Sequence, residues 1–255
     1  AERSAYRILI GMVPSALVLA ASPAWHATGR QLRIRQWPLA MARGIAVTFA
    51  QYAFYLSLGA IAFATATTIS YANAIFITAL SVPLLGETVG RIRWAAVLIG
   101  FVGVILIVGP GRESFTPIAI LPVVAAFLYA LAAITARMVD KEVPSPLLNL
   151  YTQSTAAVGA VLLTLSTSGF SPLQSSADMA WIVAMGTSGG FAVLCLVYAF
   201  RMEDASNLAP FSYFGIPLAF LLGWLAFGEA PWGDLFPGAL LIAAGGLLIV
   251  WRERR

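Results

Sequence analysis

Residues 64–108 are written twice in this chain. Each copy is an apolar run, a Gly-Glu pair and a second apolar run, and moving the register by 142 residues (64 to 206, 108 to 250) superposes the copies without a gap. Ser70-Tyr71 then falls on Ser212-Tyr213, Gly86-Glu87 on Gly228-Glu229, Gly103 on Gly245, and Leu106-Ile107-Val108 on Leu248-Ile249-Val250. The echo extends backwards, with Gly44 over Gly186 and Phe49-Ala50 over Phe191-Ala192. A repeat of this size restricts the chain to architectures built from two like units.

The runs themselves set the solvent. They are about 20 residues long, the length that crosses ~30 Å of hydrocarbon at ~1.5 Å per residue. Of the whole sequence 60% is hydrophobic and 10% charged, against roughly 25% charged in a soluble domain. Spans are expected at Ala5 to Ser22, Leu39 to Gly59, Ala64 to Leu85, Trp94 to Val108, Ile118 to Val139, Leu147 to Leu165, Met179 to Phe200, Asn207 to Phe227 and Leu235 to Trp251. The first apolar run is followed by further runs, which argues against a cleavable signal peptide. Cys195 is the one cysteine, so no disulfide forms within the chain.

The repeat implies one more span than these. The second copy has two spans ahead of its core where the first has only Ala5 to Ser22, so the expectation is a helix missing before residue 1. The start at Ala-Glu-Arg-Ser, without methionine, fits that. Restoring it gives five spans per copy, and an odd number turns the second copy upside down in the membrane, the plan of many secondary transporters. The expected fold is therefore an all-α membrane protein, an inverted repeat of two five-helix bundles with about nine helices here, divided at 1–110 and 117–255. With the C-terminus inside, Arg30, Arg33, Arg35, Arg43, Arg91, Arg93, Arg137, Lys141, Arg201, Arg252, Arg254 and Arg255 fall on the cytoplasmic side, against Arg3, Arg7 and Arg112 outside. That asymmetry places the chain in the cytoplasmic (inner) membrane as a multi-pass protein, and reads the net charge of +4 as topology rather than nucleic-acid binding. Trp25, Trp37, Trp94, Trp181, Trp232 and Trp251 lie at expected span ends, where indoles favour the headgroups.

The segments LLGETVGRIRWAAVLIGFVGVILIVGPG and AFGEAPWGDLFPGALLIAAGGLLIVWRERR resemble the paired EamA repeats of the drug/metabolite transporter superfamily. The resemblance covers essentially the whole chain. It implies ten helices, both termini in the cytoplasm, and a small organic substrate drawn from amino acids, nucleotide-linked sugars and other metabolites; the aromatic amino acid exporters are one such group.

Within the expected spans there is no Asp, Glu, Lys or His at depth, the groups that relay protons or coordinate coupling ions. Arg7 and Arg43 lie near helix ends and are expected to snorkel to the headgroups. Glu87 and Glu229 each follow a glycine just before a helix, where a carboxylate accepts orphan N–H groups, so capping is expected. His26 is read as solvated, no metal or cofactor site is expected, and Gly100, Gly103, Gly238, Gly245 and Gly246 are read as helix-packing positions. Hydroxyls and amides are more informative, because lipid offers them no partner. Thr48, Gln51, Tyr52 and Tyr55 share one helical face, and Thr67, Ser70, Tyr71, Thr78 and Ser81 form another stripe; Asn149, Thr152 and Gln153 cluster, as do Thr187, Cys195 and Tyr198. Such stripes either line a cavity or hydrogen-bond between helices, and spacing does not choose.

Depth adds one distinction. If both repeat cores cross fully, Tyr71 lies ~6 Å outside the midplane and Tyr213 the same distance inside, at ~1.5 Å per residue. Asn73 is near the midplane, and its counterpart Gly215 is followed by Pro217, a pair that loosens a helix. The expected substrate site is Gln51, Tyr52, Tyr71, Asn73, Tyr129, Tyr213 and Gly215, with Tyr71 and Tyr213 as outer and inner gates and Pro217 as a hinge. An uncharged aromatic site suits export of apolar or aromatic amino acids by alternating access through a cavity between the repeats. The alternatives are a carrier of an anionic metabolite such as a nucleotide-linked sugar, and a non-transporting membrane scaffold. The expected partners are the substrate and the lipid bilayer; the oligomeric state is left open. An enzyme would need a nucleophile, metal cluster or acid-base pair that these residues do not supply.

Overall fold

A computed structural model describes residues 2–27, 29, 32–60, 66, 69–108, 117–167, 176–215, 240, 241 and 244. The described residues are helical: α1 (Glu2–Ala20), the short α2 (Pro23–Ala27), α3 (Trp37–Ser57), α4 (Asn73–Leu85), α5 (Arg91–Val108), α6 (Ile120–Thr135, entered through a 3₁₀ turn at Pro117–Ala119), α7 (Ser145–Thr167), α8 (Ser176–Met202) and α9 (Ala205–Leu208), which runs into a 3₁₀ helix at Ala209–Phe214. On α8, Asp178–Met202 is long and apolar enough to cross a membrane. Large apolar side chains point outward around it and on its neighbours, among them Leu17, Phe49, Leu162, Trp181 and Phe191. Surfaces of that kind belong against lipid rather than water.

The chain forms two compact units, one of residues 1–52 and 135–202, the other of 53–134 and 203–255. Each draws on both sequence copies, so the units cut across the division at 1–110 and 117–255.

In the first unit α1 lies against α7 and α8. Glycines let the backbones meet. A Cβ on Gly190 would overlap the backbone of Gly11, and one on Gly186 would stand 2.7 Å from the Ile10 side chain. On α3, a Cβ at Gly44 would lie 2.6 Å from the carbonyl oxygen of Thr152, and Gly159 of α7 receives Thr48 in the same way. Small residues at helix crossings gain dispersion contacts where no hydrophobic driving force operates between helices in lipid. Arg201, near the end of α8, donates to the carbonyls of Asp140 and Val143 and to Ser145 Oγ, fixing the loop before α7. Gln36 and Asp140 exchange two hydrogen bonds, Nε2 to Oδ1 at 3.2 Å and backbone N–H to Oε1 at 2.7 Å.

Burial corrects one expectation here. Arg43 is buried, with 5% of its surface exposed, instead of reaching to the headgroups. It neighbours Gly44, and the close approach of α7 that the glycine permits covers the residue beside it.

In the second unit Pro83 does not stop α4, which ends at Gly86 with φ +69°, where Gly86 N–H donates to Val82 O and Glu87 N–H to Ser81 O. That reversal is the left-handed glycine cap of a helix C-terminus. Phe76 and Phe127 meet edge to face, with centroids 5.6 Å apart, and join α4 to α6. The expected regular helix from Asn207 is corrected: α9 has four residues and tightens into 3₁₀ backbone at Ala209, beside Pro210, which has no N–H to continue an α ladder. The remainder of that span, Pro217, Glu229, Trp232, Trp251 and all of the last span but residues 240, 241 and 244 lie outside the described residues.

Gly190 gives a direct test of the first unit. Gly190→Ala should destabilise the protein by about 1–3 kcal/mol, as overpacking does, whereas Gly189→Ala, with open space at its Cβ, should leave the melting temperature in detergent within experimental error.

Candidate functional site

The two repeat-related tyrosines come together in the second unit. Tyr71 lies in a turn between helical residues 69–70 and α4. There the hydrogen bonds run three residues back, Ala72 N–H to Ile69 O at 3.0 Å and Ile75 N–H to Ala72 O at 3.0 Å. Tyr213 lies in the 3₁₀ stretch Ala209–Phe214. Both therefore sit on tightened, irregular backbone, of the kind that membrane proteins place where it is buried in protein or lines a cavity.

Their rings are 6.2 Å apart between centroids and inclined at 51°, within the range of aromatic pairs. The two rings therefore meet, where the expected depths set the residues ~12 Å apart along the membrane normal. The depth estimate took both segments as continuous helices from end to end, and neither is. Tyr213 is fully buried, and a Cβ added to Gly100 of α5 would overlap its ring. Gly100 is accordingly a seat for an aromatic ring, a role that the sequence reading as a generic packing glycine missed. The Tyr71 hydroxyl stands 3.3 Å from where a Cβ of Gly215 would be. Gly215 itself is in right-handed helical conformation, φ −57° and ψ −27°, so the irregularity precedes it.

The Tyr213 hydroxyl and Asn73 Oδ1, the latter two residues along the chain from Tyr71, are buried without a hydrogen-bond partner among the described residues. An unmet buried donor or acceptor costs about 1–3 kcal/mol; Arg93 Nε, Asn149 Oδ1 and Asn207 Oδ1 share that condition elsewhere. Asn73 is the first residue of α4. Tyr129 is half-buried on α6, two residues beyond Phe127. Gln51, half-buried, and Tyr52, exposed, belong to α3 and to the first unit.

Several hydroxyls of the polar stripes and their neighbours find their acceptor locally. Thr48, Ser70, Thr78, Thr152, Thr155 and Thr164 each donate to the carbonyl four residues back in their own helix, and Ser81 to the carbonyl of Thr78. A hydroxyl that returns its proton to its own backbone needs neither cavity water nor a neighbouring helix. Asn149 instead bonds between helices, as one of the two expectations had it: its Nδ2 donates to Ser15 Oγ on α1 at 2.8 Å.

Glu87 does accept orphan N–H groups, but from another segment. Its Oε1 takes the N–H of Ala205 at 2.9 Å, and its Oε2 the N–H of Ser206 at 3.2 Å and the Ser206 hydroxyl at 2.7 Å. Ser206 Oγ in turn accepts from Arg93 Nη1 at 2.9 Å, and Arg93 Nη2 lies 3.6 Å from Asp204 Oδ2. The expectation of a cap on the following helix, α5, is corrected to a cap on α9.

Comparison with known proteins gives these residues a context. The sequence pattern of the EamA-like transporter family matches residues 2–109 and again 116–251. An S-adenosylmethionine uptake transporter of Rickettsia prowazekii is 27% identical over 214 residues, 84% of this chain and 71% of that protein. A riboflavin transporter of Rhizobium johnstonii is 35% identical over 173 residues, 67% of this chain and 56% of that protein, and one of Vibrio cholerae is 31% identical over 181 residues, 67% of this chain and 57% of that protein. A solved crystal structure at 22% identity superposes with a TM-score of 0.83, covering all of this chain and 89% of its own, and shows the same fold. None of these relatives is named as an amino acid exporter, and the coarser reading as a multi-pass membrane transporter of small molecules is the one that stands. Two matches that together take in nearly the whole chain leave one conclusion: it belongs to the EamA-like transporter family, a family of transporters and not of enzymes.

Proposed function

We propose that this transporter takes up a small metabolite carrying a flat nitrogen heterocycle, and that Tyr71, Asn73, Tyr213 and Gly215 form part of its path. The observation that carries the reading is the contact between two repeat-related tyrosines on tightened backbone, beside two buried polar atoms without partners. Aromatic faces stack on flat rings, an amide oxygen accepts from a ring or exocyclic N–H, and a phenol hydroxyl serves as donor or acceptor. S-adenosylmethionine and riboflavin, named for the relatives, share such a ring joined to a hydroxylated chain. Tyr129, in the same unit, completes the proposed set, with Pro217 as hinge.

The proposed cycle is alternating access in an inverted ten-helix plan, in the cytoplasmic membrane with the C-terminus inside, following the repeat and the arginine asymmetry. Tyr213 is fully buried here, so the pair must part for a substrate to reach its hydroxyl. Export of an apolar or aromatic amino acid is the second reading, supported by the uncharged, aromatic character of the same residues.

Exchange in proteoliposomes with labelled riboflavin, S-adenosylmethionine, phenylalanine and a nucleotide-linked sugar separates the readings. Saturable exchange of one of the first two supports heterocycle uptake, exchange of phenylalanine alone supports the amino acid reading, and exchange of the sugar alone contradicts both. Tyr213→Phe removes an unpaired buried hydroxyl, so it should keep or raise thermal stability, by up to about 1–3 kcal/mol, while lowering the transport rate. Transport unchanged in both Tyr213→Phe and Tyr71→Phe would remove the two hydroxyls from the path. Gly100→Ala should lower stability by about 1–3 kcal/mol and transport with it, because the Tyr213 ring loses its seat.

A further inference from the structure

We infer that Glu87 is a positioning residue: together with Arg93 and Gly100 it holds the segment from Asp204 to Tyr213 in the register that brings Tyr213 against Tyr71. The loop and helix from Gly86 to Gly100 grip that segment at two places. At the first, the Glu87 carboxylate takes the N–H groups of Ala205 and Ser206 and the Ser206 hydroxyl, and Arg93 reaches Ser206 Oγ and Asp204. At the second, Gly100 leaves the space that the Tyr213 ring fills. The grips are seven residues apart on both strands of chain, 93 to 100 and 206 to 213, so they share one register.

The chemistry of the first grip fixes direction as well as place. Ser206 has one hydroxyl proton, given to Glu87, and its lone pair accepts from Arg93. The hydroxyl is therefore oriented from both sides, between a carboxylate and a guanidinium. The two amides that Glu87 accepts are among the orphan N–H groups of α9. A four-residue helix followed by 3₁₀ backbone has little internal hydrogen bonding to hold it in line, so an external acceptor decides where it starts.

The device joins the two copies of the repeat, Glu87 and Arg93 from the first and Asp204 and Ser206 from the second, and the sequence does not encode its mirror image. Glu229 echoes Glu87, but the positions that echo Arg93, Ser206 and Asp204 are Leu235, Ala64 and Ala62. The carboxylate is kept in the sequence while its ionic and hydroxyl partners are not.

The inference rests on the proposed path only for its effect on transport, and its test is independent of any substrate. In the full chain with Cys195→Ser, Ala209→Cys places a reporter at a buried residue within the held segment, and Ala126→Cys places a control at a buried residue of α6. Both should react slowly with a membrane-permeant maleimide. Adding Glu87→Gln should speed labelling at position 209 by about tenfold or more, the factor that corresponds to losing hydrogen bonds to a charged acceptor, while position 126 stays protected. Ser206→Ala, which removes one of the three donors, should give a smaller increase, and Glu87→Asp should restore part of the protection. Labelling that rises equally at 209 and 126 would mean general loosening and would overturn the positioning role; so would unchanged labelling at 209. If labelling behaves as expected but transport by Glu87→Gln is normal, the clamp stands and the path through Tyr213 falls.

Discussion

Lipid supplies no hydrogen bonds, and the structure follows from where each backbone and side-chain polar group finds its partner instead. Through most of the described residues the solution is local. Helical ladders satisfy the backbone, and the threonines of α3, α4 and α7 return their hydroxyl protons to the carbonyls four residues back, in the preceding turn. With the hydroxyls so occupied, helices associate through close backbone approach, at Gly11 with Gly190 and at Gly44 with Thr152 and Thr155.

The second unit is where local satisfaction fails. Pro210 and the 3₁₀ stretch break the ladder of a segment that an uninterrupted helix would have carried, and the N–H groups at its start are met by Glu87 from a distant part of the sequence. The break is also what lets Tyr213 turn onto Gly100 and meet Tyr71. Irregular backbone, its external acceptor and the unpaired Tyr213 hydroxyl thus occur together, and each has an obvious use in a protein that must change conformation to work.

Much of the frame was legible in the sequence. α1, α3, α5, α7 and α8 begin within about three residues of the expected spans, a margin usual for reading ends from hydropathy, because run length against bilayer thickness is a strong constraint. The repeat picked out Tyr71, Tyr213 and Glu87 as positions to watch. The family followed from the Gly-Glu turns and Gly-rich helices, although the exporter reading did not, since substrate depends on a few side chains and not on the frame. What failed did so for a common reason. Periodicity assumes a regular helix, so it put Tyr71 and Tyr213 ~12 Å apart in depth; it also assumes that a polar stripe faces something, when a threonine can face its own backbone.

The sequence by itself determined a helical chain for a membrane, doubled in plan, with Gly86 stopping α4 and a carboxylate next to it seeking N–H donors, because length, composition and local stereochemistry are properties of short segments. Only the tertiary structure decided which donors Glu87 finds, that Arg43 is covered, and that Gly100 holds an aromatic ring. Those outcomes depend on distances between residues more than a hundred positions apart, and no local rule of spacing carries that information.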